Sequence, residues 1–373
     1  MKNKKFKLKK KSIVIIVIIL LVIVIEIINP IKLYNKYQLR NIGYKDTSIE
    51  VILKNNLKDK ILDNKYNKSL DIILESKDFN VKNYDVYKEL EYIEIDNYVK
   101  NVNELIKKGY KSSEINLIIQ SATNESLKDF LEKDYVENIS KFLEYDFSLL
   151  ENLDRYIKYQ NDHNIDKELV VIYVNIGLDK DFYQDTDETN KFSYDMLVNK
   201  YHGVSNEFVP ENLVDVPSDY GKNQKLNETT LKAFIKMSED CKAATGNKLL
   251  VRSGYRDFHE QEKTYNDYLK SYGKTYAENY VTHPGFSEHH TGLAIDIKAE
   301  SNDVFANSKE SKWTYQNAYK YGFILRYKKT DENITGIKYE TWHFRYVGEE
   351  IAKYMNDHEM TYEEYYVRFL MTK

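Results

Sequence analysis

The chain has few of the residues that would support several common functions. Its 373 residues include one cysteine, Cys241. That excludes an intrachain disulfide and any metal site built from several thiolates. Cys241 falls within a helical pattern and reads as a buried structural thiol. A formal net charge of -4 gives no basic surface for nucleic acid. Small residues are scarce near the start, with no glycine before Gly43 and no alanine before Ala122. No apolar run reaches the ~20 residues that a spanning helix needs. The longest runs from Ile13 to Ile25 and continues past Glu26 into Ile27 and Ile28.

That run follows Lys2, Lys4, Lys5, Lys7, Lys9, Lys10 and Lys11. Lysine stems reach from an apolar layer to its polar boundary and extend a short span. A secretory peptide would need small residues at its cleavage site, and they are missing. Residues 1–29 are therefore expected to be a basic cytoplasmic tail and a single transmembrane helix. The basic flank stays in the cytoplasm, which puts the rest of the chain outside the cell membrane.

Residues 30–165 are rich in charge and tyrosine and show helical spacing. Leu39-Arg40-Asn41-Ile42-Gly43-Tyr44-Lys45 resembles Leu105-Ile106-Lys107-Lys108-Gly109-Tyr110-Lys111, and the Gly-Tyr pairs stand 66 positions apart. A degenerate helical repeat of about 33 residues and a plain helical stalk both fit. Neither offers a catalytic constellation, so the region is expected to be a spacer or repeat. Leu169 to Val174 reads as a strand, within a connecting segment over 166–220.

Residues 221–373 mix helices and strands without βαβ alternation, which favours an α+β domain with a small antiparallel sheet. The pattern predicts a helix from Asn227 to Thr245, stopped by Gly246, and a strand from Lys248 to Ser253. Asp257 and Glu260 form a capping box. Strands are expected over Gly292–Lys298, Phe323–Tyr327 and Tyr339–Val347. A helix over Ser311–Tyr321 ends at Gly322, and Thr361 with Glu364 opens a last one.

Four of the eight histidines, His283, His289, His290 and His343, fall between positions 283 and 343 of this domain. In Leu293-Ala294-Ile295-Asp296-Ile297, strand alternation puts Leu293, Ile295 and Ile297 on one face and Ala294 and Asp296 on the other. A carboxylate placed mid-strand among isoleucines is costly unless it is paired or bound to metal. A buried salt bridge to an arginine is the alternative. In Trp342-His343-Phe344-Arg345-Tyr346-Val347, the aromatic residues share one face and His343 and Arg345 the other. Two histidines and a carboxylate are a recurrent set for catalytic zinc. A glutamate nearby that does not bind the metal can act as a base, and Glu340 stands three residues before His343.

The stretch Ser287-x-His289-x-x-Gly292-x-Ala294-x-Asp296, followed by Glu340-x-Trp342-His343, resembles the VanY-type D-alanyl-D-alanine carboxypeptidases of the M15 zinc peptidase family. The likeness covers roughly residues 195–373. It extends to Arg252-Ser253-Gly254-Tyr255-Arg256, Tyr321-Gly322-Phe323-Ile324-Leu325-Arg326-Tyr327 and Ile334-Thr335-Gly336. The resemblance implies that His289, Asp296 and His343 bind Zn2+, with His290 excluded by its spacing to Gly292 and Asp296. It implies that Glu340 is the base and Arg256 stabilises the oxyanion. Gln261 and Ser287 would hold the substrate's terminal D-residue. Thr341 departs from the family, which commonly has proline there. The implied substrate is a peptidoglycan stem peptide that loses its terminal D-alanine. L,D-cleavage of tetrapeptide stems and a non-catalytic wall-binding scaffold are the alternatives.

Overall fold

The computed structural model describes residues 30–187, 191–301 and 304–371. The chain divides into two compact units, Met1–Ser140 and Lys141–Lys373. Among the described residues no helix is long and apolar enough to cross a membrane. This corrects the expectation of a transmembrane helix. Residues 1–29, on which that expectation rested, lie outside the described part.

The described part of the first unit is helical. The two Gly-Tyr pairs occupy the same kind of turn. Gly43 and Gly109 each end a helix with positive φ, +122° and +104°, and a new helix follows at Asp46–Lys54 or Ser112–Gln120. Glycine has no Cβ to resist that conformation. A side-chain network in this unit centres on Asn103. Its Oδ1 accepts from Asn83 Nδ2 (2.7 Å) and from the Tyr87 hydroxyl, and its Nδ2 donates to the Asp78 carbonyl (2.8 Å). The second unit has a matching network centred on Asn175. It takes Asn152 Nδ2 (2.9 Å) and the Tyr156 hydroxyl, and gives Nδ2 to the Phe147 carbonyl (2.8 Å). The donors Asn83 and Tyr87 and the acceptor Asp78 each precede their counterparts by 69 positions. The same buttress thus occurs in both units.

In the second unit, helix α1 (Lys167–Asn175) occupies the run expected to be a strand. Asp166 caps it, accepting from the amides of Glu168 and Leu169. Val170, Val171, Ile172 and Val174 are all fully buried. A short run buried on every side shows no periodicity to separate helix from strand.

The remaining elements build an α+β unit. Helix α2 (Glu228–Thr245) starts where Asn227 Oδ1 caps the amides of Thr229 and Thr230, and it stops at Gly246 with φ +92°. Helix α3 (Phe258–Tyr272) opens with the Asp257–Glu260 capping box. Helix α4 (Glu349–Asp357) and the short α5 (Tyr362–Tyr365), boxed by Thr361 and Glu364, close the chain. Four strands, β1 (Leu249–Ser253), β2 (Ala294–Ala299), β3 (Phe323–Leu325) and β4 (His343–Tyr346), form an antiparallel sheet in the order β1-β2-β4-β3.

Alternation along these strands sorts the faces. Leu249, Val251, Ile295, Ile297, Phe323 and Phe344 join Phe234, Met237 and Cys241 of α2 in one buried core. Asp296, His343 and Arg345 project from the opposite face. Strand β4 is shorter than the Tyr339–Val347 expected, because residues 339–341 bend away instead of pairing. The Glu340 amide donates to the Tyr327 carbonyl (3.1 Å), and the Thr341 carbonyl accepts from the Tyr315 hydroxyl (3.0 Å).

Gly292 sits at φ +67° between the histidine turn and β2. A Cβ there would come within 2.9 Å of Leu213 and 3.1 Å of the Asn227 amide. Gly292→Ala should therefore destabilise the protein by roughly 1–3 kcal/mol, as overpacking does. Urea denaturation followed by circular dichroism measures this, and an unchanged midpoint would refute the close approach.

Candidate active site

The pairing of β2 with β4 sets Asp296 directly opposite His343. Asp296 Oδ1 lies 3.1 Å from His343 Nδ1 and 3.4 Å from His289 Nε2. His289 comes from a single 3-10 turn, Glu288–Thr291, whose preceding residue Ser287 accepts from the His289 amide through its hydroxyl. The imidazoles of His289 and His343 meet edge to face, with centroids 5.0 Å apart. One ligand atom from each of His289, Asp296 and His343 falls within 4.8 Å of the others.

The donor chemistry fits zinc. His289 Nδ1 is 2.7 Å from the Gly254 carbonyl. A carbonyl only accepts, so Nδ1 carries the hydrogen and Nε2 is free to coordinate. Burial, with the Arg256 charge adding to it, pulls His289 down to about 4, so it is neutral near pH 7. Burial alone would raise Asp296, but both histidines outweigh it and hold the carboxyl well below the usual range. Two imidazoles and one carboxylate leave a coordination position for water or substrate.

All seven residues singled out from the sequence line one cavity: Arg256, Gln261, Ser287, His289, Asp296, Glu340 and His343. Glu340 Oε2 lies 3.8 Å from His343 Nδ1, outside hydrogen-bond range. Burial pushes its carboxyl up to about 8; His343 opposes this and Asp296 adds to it. The Arg256 amide donates to the His289 carbonyl (3.2 Å), which ties the arginine's loop to the histidine turn. Gln261 is 1% exposed. Its Nε2 donates to the Thr282 carbonyl (2.7 Å), while its Oε1 is buried without a partner in the protein.

The other two histidines are occupied. His290 Nδ1 donates to the Arg256 carbonyl (2.8 Å), and its Nε2 accepts from the Gly285 amide (2.9 Å). His283 stacks on Tyr183 at 3.8 Å and lies 3.0 Å from a Glu278 carboxylate oxygen.

One participant escaped the sequence reading. Glu288, with a side chain 0% exposed, lies beneath His343 with Oε2 3.2 Å from His343 Nε2. Its Oε1 accepts from Arg326 Nε (2.8 Å) and lies 3.4 Å from Arg345 Nη1. Burial would raise this carboxyl, but the charges of Arg326 and Arg345 and the His343 contact hold it well below the usual range. Arg326 and Arg345 each interrupt an apolar stretch, which was the available signal.

Residues 223–349 match the family model described as VanY, D-alanyl-D-alanine carboxypeptidase. Over 180 residues the chain is 37% identical to the bifunctional D-Ala-D-Ala dipeptidase and D-Ala-D-Ala carboxypeptidase VanXYC of Enterococcus gallinarum. That match covers 46% of this chain and 92% of the relative. The chain belongs to the D-alanyl-D-alanine carboxypeptidase family. A putative carboxypeptidase of Bacillus subtilis, YodJ, is 36% identical over 179 residues, 46% of this chain and 66% of that protein. The D-alanyl-D-alanine carboxypeptidase of Enterococcus faecium is 32% identical over 179 residues, 46% of this chain, and only 56% of its length is spanned. A solved structure of the LD-carboxypeptidase LdcB is 36% identical, with a TM-score of 0.42, over 46% of this chain and 85% of that one.

A ligand that binds only the folded chain stabilises it by mass action. Zinc at about 100 times its Kd should add about 2.7 kcal/mol. Scanning calorimetry of metal-stripped protein should show the melting point rise on adding zinc, and His289→Ala should abolish the rise. An equal rise in the variant would remove His289 from the metal site.

Proposed function

We propose that the second unit is a zinc-dependent D,D-carboxypeptidase that removes the terminal D-alanine from peptidoglycan stem peptides. His289, Asp296 and His343 hold the metal. Bound there, zinc acts as a Lewis acid that makes water more acidic and polarises a carbonyl. The observation that carries the reading is Glu340, a buried carboxyl that lines the same cavity as the three ligand residues and is hydrogen-bonded to none of them. A base of that kind can take a proton from the attacking water and pass it to the departing amine.

The surrounding groups suit the other tasks. Arg256 brings a positive charge into a water-poor cavity, where it stabilises the oxyanion that forms as the peptide carbonyl is attacked. The unpartnered Oε1 of Gln261 is an acceptor for a substrate N–H. The Ser287 hydroxyl offers a donor to the terminal carboxylate. Stem peptides lie outside the cytoplasmic membrane, so the reading gives the protein an extracytoplasmic place of work.

Glu340→Gln preserves shape and removes the proton acceptor. The variant should bind zinc as the wild type does and lose hydrolysis by about 10²–10⁴-fold. Mass spectrometry of synthetic pentapeptide and tetrapeptide stems, with and without chelator, reads this out. Chelator-sensitive loss of D-alanine from the pentapeptide is expected. Cleavage of the tetrapeptide alone would assign L,D-specificity, and release of alanine from neither would leave a scaffold.

A further inference from the structure

We infer that Glu288 is the positioning residue of the metal site: it clamps His343 by its Nε2–H and thereby presents Nδ1 as the ligand atom. The inference rests on the reading of His289, Asp296 and His343 as the zinc ligands.

The two ring nitrogens of His343 face different carboxylates. Nδ1 is 3.1 Å from Asp296 Oδ1, on the side shared with His289, and Nε2 is 3.2 Å from Glu288 Oε2. An ionised carboxylate only accepts. Glu288 therefore holds a hydrogen on Nε2, so that a metal held with Asp296 and His289 would meet Nδ1. His289 is fixed the opposite way round, by the Gly254 carbonyl on Nδ1. The pair then offers one Nε2 and one Nδ1. Such outer hydrogen bonds set the tautomer and orientation of a metal-binding imidazole, and a carboxylate makes it more basic.

What distinguishes Glu288 from an incidental contact is how firmly it is held. Arg326 gives Nε to Glu288, and Nη1 and Nη2 to Glu363 at 3.0 and 2.6 Å. Arg345 gives Nη2 to the carbonyls of Tyr194 (3.3 Å) and Met196 (3.0 Å). Asn199 Nδ2 donates to Glu363 (3.1 Å). The side chains of Glu288, Arg326, Arg345 and Glu363 are fully buried. Two carboxylates and two guanidinium groups sum to zero charge. The cluster is thus balanced in itself, without a charge from His343. The Glu288 side chain is 0% exposed and meets His343 at Nε2, the nitrogen that does not face Asp296, so it acts through His343.

Two measurements test this on the full chain. In zinc-loaded wild type, long-range proton–nitrogen NMR of the histidine rings should show His343 protonated on Nε2 and coordinated through Nδ1. The reverse tautomer would overturn the inference. Glu288→Gln and Glu288→Asp should lower zinc affinity by roughly 10–100-fold in chelator competition. Both should shift the visible spectrum of the cobalt-substituted protein, with the aspartate variant closer to wild type because it keeps the charge. A folded Glu288→Gln protein with wild-type affinity and spectrum would also overturn it. If that variant does not fold, the wild-type NMR result decides alone. Wild type that takes up no zinc would instead refute the metal-site reading on which this one rests.

Discussion

The site depends on one register. Antiparallel pairing sets Asp296 of β2 directly against His343 of β4. Because side chains alternate strictly, a slip of one residue would turn both groups into the α2 core and bring Ile295 or Phe344 to the surface. The apolar residues on one face therefore hold the polar ones in place on the other. The cost of exposing Ile295, Ile297 and Phe344 enforces the register. The geometry of the two ligands follows from it, and the third ligand, His289, needs only the short turn that feeds into β2.

That arrangement explains why the ligands were legible in the sequence. Alternation in Leu293–Ile297 and Trp342–Val347 gave both strands and both faces without knowledge of their pairing. Caps were equally local: Asn227, Asp257 and Thr361 each hold amides two or three residues ahead. The strand expected at Leu169–Val174 became a helix because total burial removes the periodic signal. The stretch Tyr339–Thr341 left the sheet because its hydrogen bonds go to Glu332, Tyr327 and Tyr315, partners no local pattern reveals. Glu288 was missed for a similar reason. Beside His289 it looks like any charged turn residue, and its partners lie 38 to 57 positions away. Yet the argument applied to Asp296, that a charge set among apolar strand residues must have a partner, applies equally to Arg326 and Arg345.

The polar face is organised as two layers of opposite demand. The layer at the cavity holds groups kept from satisfaction: a carboxyl pushed up by burial at Glu340, and an amide oxygen without a partner at Gln261. The layer beneath is fully satisfied, with every charge of Glu288, Arg326, Arg345 and Glu363 met by another. Buried polar networks of this kind rigidify when complete and destabilise when partial. The unpaired amide oxygen of Gln261 thus lies where a substrate can satisfy it.

The family match ends at residue 349, whereas Glu363 lies beyond it, and Tyr194, Met196 and Asn199 lie before its start at 223. A segment inherited or transplanted at the borders of the match would carry two arginines and a single carboxylate. It would arrive with an unneutralised cation beneath its metal. The charge balance beneath the site therefore depends on Glu363, a residue outside the family match, as much as on the residues within it.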